Sequence, residues 1–365
     1  MVPFLDLKSQ YRSIRTDIDE AIARVLESSQ FVLGSAVEGF ERDFASYCGT
    51  RHAVAVNSGT SALHLALLAA GIGPGDDVVT TPMTFVASIA AILYTGARAV
   101  LVDIDPATHN MNPDRIEAAL TPRTKAIMPV HLHGRTAEMD FITDVANKHG
   151  LIVIEDAAQA HGACYRDLKA GSMGAMGCFS FYPGKNLGAY GEGGAVVTDR
   201  DDYASTLRTL RDWGMTRKYH HVMKGFNYRM DGIQGAILGV KLRHLDTWNQ
   251  SRRNHAARYD ALLAPRGVVC PPVQKHGHHV YHVYAVRIAQ RDRVQKIMQE
   301  RGIATNIHYP CPVHLQPAYA DLGYGPGAFP ESEAAGREFL SLPMFPELTE
   351  SQIDAVCDVM MASIP

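Results

Sequence analysis

The chain has 365 residues, of which 46% are hydrophobic and 20% charged, a composition that excludes an intrinsically disordered or fibrous protein. A folded chain of this length buries about three quarters of its surface, so a large core can form without disulfide bonds. Its 35 basic and 38 acidic residues give a formal net charge of −3, which offers no electrostatic reason to bind nucleic acid or an anionic membrane.

Residues 53–200 alternate short β-rich runs with helical patterns. This alternation predicts βα units and an α/β fold with a mostly parallel sheet flanked by helices. Strands are expected at HAVAVNS, DDVVTTP, ARAVLVDID, KAIMPVHLHG and LIVIEDAA, and helices at GTSALHLALLAAGI and around AAILYTGA.

The pattern changes in the last third of the chain. Residues 231–264 are typical of one or two long helices, and PRGVVCPP then breaks the helical pattern. Beyond this break, VYHVYAVRI predicts a strand, and DRVQKIMQERGI and LTESQIDAVCDVMMAS predict helices. We expect a large domain over residues 1–250, with an N-terminal arm, and a small α+β domain over residues 251–365.

Neither secretion nor membrane insertion is indicated. The six cysteines are scattered without a CxxC pair, as is usual for thiols of a reducing compartment. The N-terminal segment has no apolar run of signal-peptide length, and the longest apolar stretch, near residues 86–93, is too short for a membrane helix. We expect a soluble, cytoplasmic protein with no membrane partner.

Three segments carry residues suited to chemistry. In Asn57-Ser58-Gly59-Thr60-Ser61, free amides at a helix N-terminus, a glycine and hydroxyls would make a phosphate cradle. The alternative is that Ser58 or Thr60 only caps the helix, and the segment alone does not decide between them.

The second segment is the apolar run LIVIEDAAQAHGA, which places two carboxylates, Glu155 and Asp156, at the carboxyl edge of the sheet. A carboxylate there can pair with a cationic ring nitrogen, although Asp156 could also be a metal ligand or a helix cap.

The third segment, SFYPGKNLGAYGEGGA, places Lys185 in a loop dense with glycines, five residues after Ser180. An isolated lysine is usually exposed to solvent. A desolvated lysine, however, can be neutral enough to form a Schiff base. Together, phosphate cradle, ring-facing carboxylate and buried lysine are what a pyridoxal 5′-phosphate (PLP) site requires.

These segments resemble the DegT/DnrJ/StrS family of PLP-dependent sugar aminotransferases, which have the aspartate aminotransferase fold (fold type I). The resemblance covers nearly the whole chain. It is carried, in order, by FLDL, FVLGSAVEGFE, NSGTSALHLALLAAGIGPGDDV, TPMTFVAS, EDAAQAHGA, SFYPGKNLGAYGEGGA, GFNYRMDGIQ, HYPCPVHLQPAY and LSLPMFPELT.

The resemblance implies a role for each matching residue. Lys185 would form the Schiff base and later move a proton between the amino-acid Cα and the cofactor C4′, while Asp156 would keep the ring nitrogen protonated. The other implied cofactor contacts are Gln159 beside the ring hydroxyl, Phe85 stacked on the ring, and Gly59, Thr60 and Ser180 on the phosphate. An asparagine at the position of Asn227 reaches the phosphate from the neighbouring subunit in this family, which implies a homodimer.

Substrate contacts are expected from two further regions. The loop around Arg217–His221 precedes Asn227 and is either a solvated loop or a donor set for a sugar-nucleotide diphosphate. We take Lys218, Tyr219 and Arg229 as candidates there. His308 and Tyr309 in the HYP turn are further candidates, although HYPCP could be only a proline-fixed turn.

The remaining histidines suggest other sites. His276, His278, His279 and His282 fall within KHGHHVYHVY, but relatives carry a similar strand and we expect no metal. His131 and His133 are expected near the active-site wall, and the family more often has an aromatic residue at the second of these positions.

The resemblance implies an aminotransferase that uses L-glutamate to aminate a nucleotide-linked ketosugar, most similar to those acting on C3 of dTDP-3-keto-6-deoxyhexoses. Alternatives are another ring carbon (C4), a UDP or GDP sugar, or a PLP-dependent sugar dehydratase. The dehydratase branch has histidine in place of the lysine, so Lys185 argues against it. A PLP-binding regulator would need a DNA-reading element, for which there is neither spare length nor a basic patch.

Overall fold

A computed structural model describes residues 1–364 of the chain. Over these residues the helices are α1 (Leu7–Ser13), α2 (Arg15–Ser28), α3 (Ser35–Cys48), α4 (Gly59–Ala69), α5 (Ala87–Tyr94), α6 (Ile116–Ala119), α7 (Met139–His149), α8 (Asp201–Arg211), α9 (Gly232–Leu242), α10 (Leu245–Leu263), α11 (Arg291–Glu300), α12 (Pro330–Glu338) and α13 (Glu350–Met361). The strands are β1 (His52–Val56), β2 (Asp77–Thr80), β3 (Arg98–Leu101), β4 (Thr124–Ile127), β5 (Ile152–Asp156), β6 (Cys164–Tyr165), β7 (Leu168–Lys169), β8 (Met176–Ser180), β9 (Gly194–Thr198), β10 (Met215–Arg217), β11 (His220–His221), β12 (Gly277–His278), β13 (Tyr284–Arg287) and β14 (Phe339–Leu342).

The central sheet has seven strands in the order β1-β9-β8-β5-β4-β2-β3. The pairs from β8 to β3 are parallel, whereas β9 is antiparallel to both of its neighbours, β8 and β1. The exception has a simple cause: residues 181–193 turn the chain directly back from β8 into β9, as a hairpin connection requires. The predicted α/β class with a mostly parallel sheet is confirmed.

Helices cover both faces of this sheet, which explains the apolar strand sequences. The strands β2 and β9 are buried at every position, as expected when a sheet is covered on both sides. One face packs under α4, whose side chains from Ser61 to Leu67 are all buried. On the other face, Phe40, Phe44 and Phe179 lie in a second core with α3 and α9.

The carboxyl ends of the parallel strands meet along one edge. Asn57 follows β1, Asp156 is the last residue of β5, and Ser180 is the last residue of β8. In open α/β sheets ligands bind along this edge. The topology therefore brings together three segments that are up to 123 residues apart in the chain.

A separate hydrophobic core forms in the C-terminal part of the chain. It includes Tyr259, Tyr284, Leu340 and Val356, contributed by α10, the antiparallel pair β13–β14, and α13. The strand predicted at VYHVYAVRI is shorter than expected, because only Tyr284–Arg287 pairs with β14. The helix α10 runs continuously through the expected boundary at residues 250–251, and that boundary stays a prediction.

The first residues of the chain join this C-terminal core. Val2 donates its amide to the Gly302 carbonyl (2.9 Å) and accepts from the Ala304 amide (3.0 Å). Leu5 packs against the same core, whereas Tyr11 packs on the cluster of Ile237 around α9. The N-terminal arm thus contacts both parts of the fold.

No helix in residues 1–364 combines the length and the apolar character needed to cross a bilayer.

Candidate active site

A cavity of about 630 Å³ opens at the carboxyl edge of the sheet, between the sheet and the C-terminal part of the chain. Nine of the 13 predicted site residues line it: Gly59, Thr60, Phe85, Asp156, Gln159, Ser180, Lys185, His308 and Tyr309. The structure thus brings the three chemistry-bearing segments to one site.

The N-terminus of α4 forms one end of the cavity. Ser58 caps the helix, since its Oγ accepts from the Ser61 amide at 3.1 Å. Gly59 and Thr60, the first two residues of α4, line the cavity, and the first amides of a helix have no partner within it. A Cβ on Gly59 would lie 2.5 Å from Cβ of Ser180. The cap and the anion cradle are therefore compatible, and glycine is what allows the end of β8 to approach the helix.

Asp156 lies buried at the end of β5 with both oxygens held. Ser88 donates to Oδ2 at 2.6 Å, and the Ala158 amide donates to Oδ1 at 3.2 Å. Ser88 in turn shares a hydrogen bond of 2.7 Å with Thr84. Burial raises the pKa of Asp156, although the Ser88 and Ala158 hydrogen bonds and nearby Lys185 act in the opposite direction. The orientation of this carboxylate is thus fixed from outside the sheet.

Glu155 has a different role, because adjacent residues of a strand point to opposite faces. It accepts from the amides of Gly171 (2.7 Å), Met173 (2.7 Å) and Gly174 (2.6 Å), and it contacts His131 Nε2 at 2.9 Å. Glu155 therefore organises a loop behind the sheet. His131 was expected near the cavity wall, but it pairs with Glu155 and does not line the cavity.

Lys185 lies in the connection between β8 and β9. Its amide donates to the Tyr182 carbonyl at 2.9 Å in a tight turn. A Cβ on Gly188 would collide with the Pro183 carbonyl, whereas one on Gly184 would meet only side chains, the nearest at 3.7 Å. Of the two glycines that flank Lys185, only Gly188 is therefore sterically required. Burial lowers the pKa of Lys185 to about 8, with Asp156 opposing the shift, so a substantial share of the amine is neutral near physiological pH.

Gln159 connects the sheet to the turn that carries His308 and Tyr309. Its Oε1 accepts from the His133 amide at 2.6 Å, and its Nε2 donates to the Tyr309 hydroxyl at 3.0 Å. The rings of Phe85 and Tyr309 lie 5.7 Å apart. Burial lowers the pKa of His308 to about 3, so its imidazole is uncharged in the cavity near neutral pH.

Four predicted residues lie outside the cavity of their own chain. Asn227 Oδ1 accepts from Arg229 Nη2 at 2.9 Å, and Arg229 Nη1 pairs with Asp212 at 3.1 Å. Lys218 and Tyr219 lie exposed on the β10–β11 hairpin. A single chain therefore does not test their predicted role at a neighbouring subunit.

Several cavity residues were missed at the sequence level: Phe4, Leu5, Thr84, Ser88, Glu192, Asn306 and Met344. His282, first considered for a metal cluster, also lines the cavity, and its Nδ1 lies 3.2 Å from Asn186 Oδ1. Within residues 1–364 no group of three or more His, Cys, Asp or Glu side chains could hold a metal ion. The missed residues come from the N-terminal arm, from the start of α5 and from separate loops, and no local pattern marks them.

The residues present fit PLP. The close approach of the α4 N-terminus to Ser180 requires glycine at 59, since a Cβ there would collide with Ser180, and helix amides at this end suit a phosphate. The buried Asp156 suits a protonated ring nitrogen, and Lys185 offers an amine with a lowered pKa. When bound, PLP supplies an electron sink that stabilises negative charge at an amino-acid Cα.

Comparisons with known proteins agree with this fit. Residues 12–361 match the model of the DegT/DnrJ/EryC1/StrS aminotransferase family. The pleiotropic regulatory protein of Geobacillus stearothermophilus is 48% identical over 354 residues, covering 96% of this chain and 95% of that protein. The dTDP-3-amino-3,4,6-trideoxy-alpha-D-glucose transaminase of Streptomyces venezuelae is 47% identical over 360 residues, covering 98% of this chain and 95% of that protein.

A solved structure is similarly close. The crystal structure of S. venezuelae DesV in complex with a ketimine intermediate has a TM-score of 0.97 and 47% identity to this chain, covering 99% of this chain and 98% of the other. This agreement confirms the fold type I architecture expected from the resemblance. The chain therefore belongs to the DegT/DnrJ/EryC1/StrS aminotransferase family, and it is a PLP-dependent aminotransferase.

Proposed function

We propose that this enzyme transfers an amino group from L-glutamate to a nucleotide-linked ketosugar, at C3 of a dTDP-3-keto-6-deoxyhexose, in aminosugar biosynthesis. The observation that carries the proposal is the meeting of Lys185, Asp156 and the α4 N-terminus in one cavity. The sugar class is supported by the 47% identical S. venezuelae transaminase, whose name specifies a dTDP-3-amino sugar.

In this proposal, each cavity residue has a stated task. Lys185 holds the cofactor covalently at rest and moves a proton between the amino-acid Cα and the cofactor C4′, for which an amine with a pKa near 8 is suited. Asp156, fixed by Ser88, keeps a proton on the ring nitrogen. Phe85 stacks on the ring.

The phosphate and ring hydroxyl are held by the remaining contacts. Gly59, Thr60 and Ser180 bind the phosphate at the end of α4, where the helix dipole favours an anion. Gln159 faces the ring hydroxyl with its amide nitrogen, because its oxygen is already engaged by the His133 amide.

We propose a homodimer with shared active sites. Among the described residues that line the cavity, Lys185 is the one lysine and none is an arginine, while Asp156 and Glu192 are acidic. Cofactor phosphate and substrate diphosphate together bring several negative charges, which need cations from elsewhere. The exposed Lys218 of one subunit, with Tyr219, Asn227 and Arg229, would supply these contacts to the other subunit.

His308 and Tyr309 contact the substrate from the same chain as Lys185 in this proposal.

The proposed cytoplasmic location is supported by the six cysteines, all of which are unpaired. The alternative of a UDP or GDP sugar, or of the C4 position, concerns the same site. The regulator alternative draws on the name of the G. stearothermophilus relative, but the net charge of −3 does not favour DNA.

A single-turnover experiment tests the proposal. Enzyme loaded with pyridoxamine 5′-phosphate is mixed with a panel of dTDP-, UDP- and GDP-ketosugars, and return of the PLP absorbance is followed by stopped flow. We expect the dTDP-3-keto-6-deoxyhexose to react fastest and 2-oxoglutarate to be the accepted keto acid. Faster reaction with simple keto acids than with any ketosugar nucleotide would show that the substrate class is wrong.

A further inference from the structure

His133 does not line the cavity, but it contacts two residues that do, Gln159 and His308. It lies in a short 3-10 turn, Leu132–Gly134, and is 5% exposed. Its amide donates to Gln159 Oε1 at 2.6 Å, and its Nε2 lies 2.9 Å from the His308 carbonyl. One residue thus links the glutamine that faces the cofactor to the turn that faces the substrate.

The protonation of this ring follows from its partner. A carbonyl oxygen only accepts, so Nε2 of His133 must carry the hydrogen in that contact. Burial lowers the pKa of His133 to about 4, so the ring is neutral with Nδ1 unprotonated. The contact is therefore a neutral donor–acceptor hydrogen bond that does not depend on pH in the working range.

The backbone of His133 is in an unfavourable conformation. Its φ of +60° lies in the left-handed region, which a residue other than glycine adopts rarely and at a cost. This conformation directs the amide toward Gln159. The side chain packs against Phe339, with ring centroids 5.3 Å apart, and the two hydrogen bonds together hold the strained turn.

We propose that His133 is a positioning residue, which sets the orientation of Gln159 through its backbone and holds the His308–Tyr309 turn through its side chain. With Oε1 of Gln159 engaged, the amide nitrogen is left for Tyr309 and the cofactor. The effect on substrate binding rests on the proposed function, because only there do His308 and Tyr309 face the sugar nucleotide.

Glycine substitution separates the two contacts. His133→Gly keeps the left-handed backbone without strain, and so keeps the amide bond to Gln159, but it removes the donor to His308. The matched control is His109→Gly. His109 is also buried, also has a left-handed φ of +62°, and also packs on Phe339 at 4.8 Å, but no hydrogen bond joins its ring to Gln159 or His308 among the residues described.

The first measurement does not need a substrate. Hydrogen–deuterium exchange of the PLP-bound enzyme is followed in a peptide that spans residues 303–316. We expect exchange about 5-fold faster in His133→Gly than in His109→Gly, as loss of one buried hydrogen bond would give. The Kd for PLP, from titration of the cofactor-free protein, should stay within about 2-fold of the control, because the Gln159 contact is kept.

The second measurement tests the consequence for the substrate. The KM for the ketosugar nucleotide should rise about 5- to 30-fold in His133→Gly relative to His109→Gly, while the glutamate half-reaction is unchanged. His133→Gln restores an N–H donor of similar reach, so its exchange rate and its KM should both return most of the way to the wild-type values.

Equal exchange in the two glycine variants would overturn the positioning role, whatever the substrate proves to be. If the exchange difference is found but KM is equal in the two variants, the turn does not contact the substrate and the inference fails at that step. Absence of ketosugar turnover by the wild-type enzyme would instead count against the proposed function, and the exchange measurement would still decide the role of His133.

Discussion

Replacing Gly59 with alanine should distort the end of the cavity that is proposed to hold the phosphate. The new Cβ would lie 2.5 Å from Cβ of Ser180 and 3.0 Å from its Cα. Cβ atoms essentially never approach so closely, and the Ser180 Cα belongs to the backbone of β8, so rotation of a side chain cannot relieve the contact. The α4 N-terminus must move away from the end of β8.

The size of the effect follows from the cost of overpacking a close contact, about 1–3 kcal/mol. If the displaced helix amides lose that energy on phosphate binding, the Kd for PLP rises about 5- to 150-fold. The assay is titration of the cofactor-free protein with PLP, followed by absorbance, together with thermal unfolding of the cofactor-free form.

Gly239→Ala is the matched control. Gly239 also lies in a helix, α9, but a Cβ there would have no atom within 4 Å. The Gly239→Ala variant should therefore bind PLP normally, and its free energy of unfolding should be higher by about 0.5–1 kcal/mol, since alanine favours the helix. Wild-type affinity for PLP in Gly59→Ala would refute the assignment of this helix end to the phosphate.

Three further outcomes are expected. Asp156→Asn should lower the turnover rate about 10²- to 10⁴-fold, and Ser88→Ala about 5- to 30-fold, because one oxygen of Asp156 keeps its amide donor; steady-state kinetics check both, and equal losses would mean that Ser88 does more than orient the carboxylate. Because burial puts the pKa of Lys185 near 8 rather than 10.5, the fraction of reactive neutral amine grows as pH rises, and the rate of covalent cofactor attachment should increase up to about pH 8 and then level off. A rate that still climbs tenfold between pH 9 and 10 in stopped-flow traces would place the pKa higher. Finally, mixing inactive Lys185→Ala with inactive Arg229→Ala should regenerate activity after subunit exchange, and a fully active monomer in analytical ultracentrifugation would contradict the shared site.

Much of the fold could be predicted from the sequence because the sheet is buried on both faces. Continuous apolar runs such as residues 151–154 are typical of that environment, and β1 to β5 overlap the segments in which strands are predicted, whereas β8 and β9 were not predicted. The reversal of β9 was not predicted, since its apolar sequence is the same whichever way the strand runs. Its direction depends on the loop around Lys185, whose glycines indicate a tight turn but not the direction in which the chain leaves it.

The site was predictable where one segment carries the chemistry, and not where partners are distant. Glu155 and Asp156 have the same charge and adjacent places in the sequence, and only the strand geometry shows which one faces the cavity. Ser88 lies 68 residues from Asp156 in the chain, and a serine in an apolar helix gives no sign of its partner. The same holds for His133, whose contacts with Gln159 and His308 span 26 and 175 residues.

The N-terminal arm matters for anyone who would exchange parts between relatives. Val2 pairs with the strand-like segment at Ile303, Phe4 stacks near His308 with ring centroids 5.8 Å apart, and Leu5 packs on the C-terminal core. These residues are first in the chain but belong, by contact, to its last third. A chimera that takes only the C-terminal part of the chain from a relative would leave the arm of the other parent packed against it. The unit to transplant is therefore discontinuous: the C-terminal part of the chain together with the first five residues.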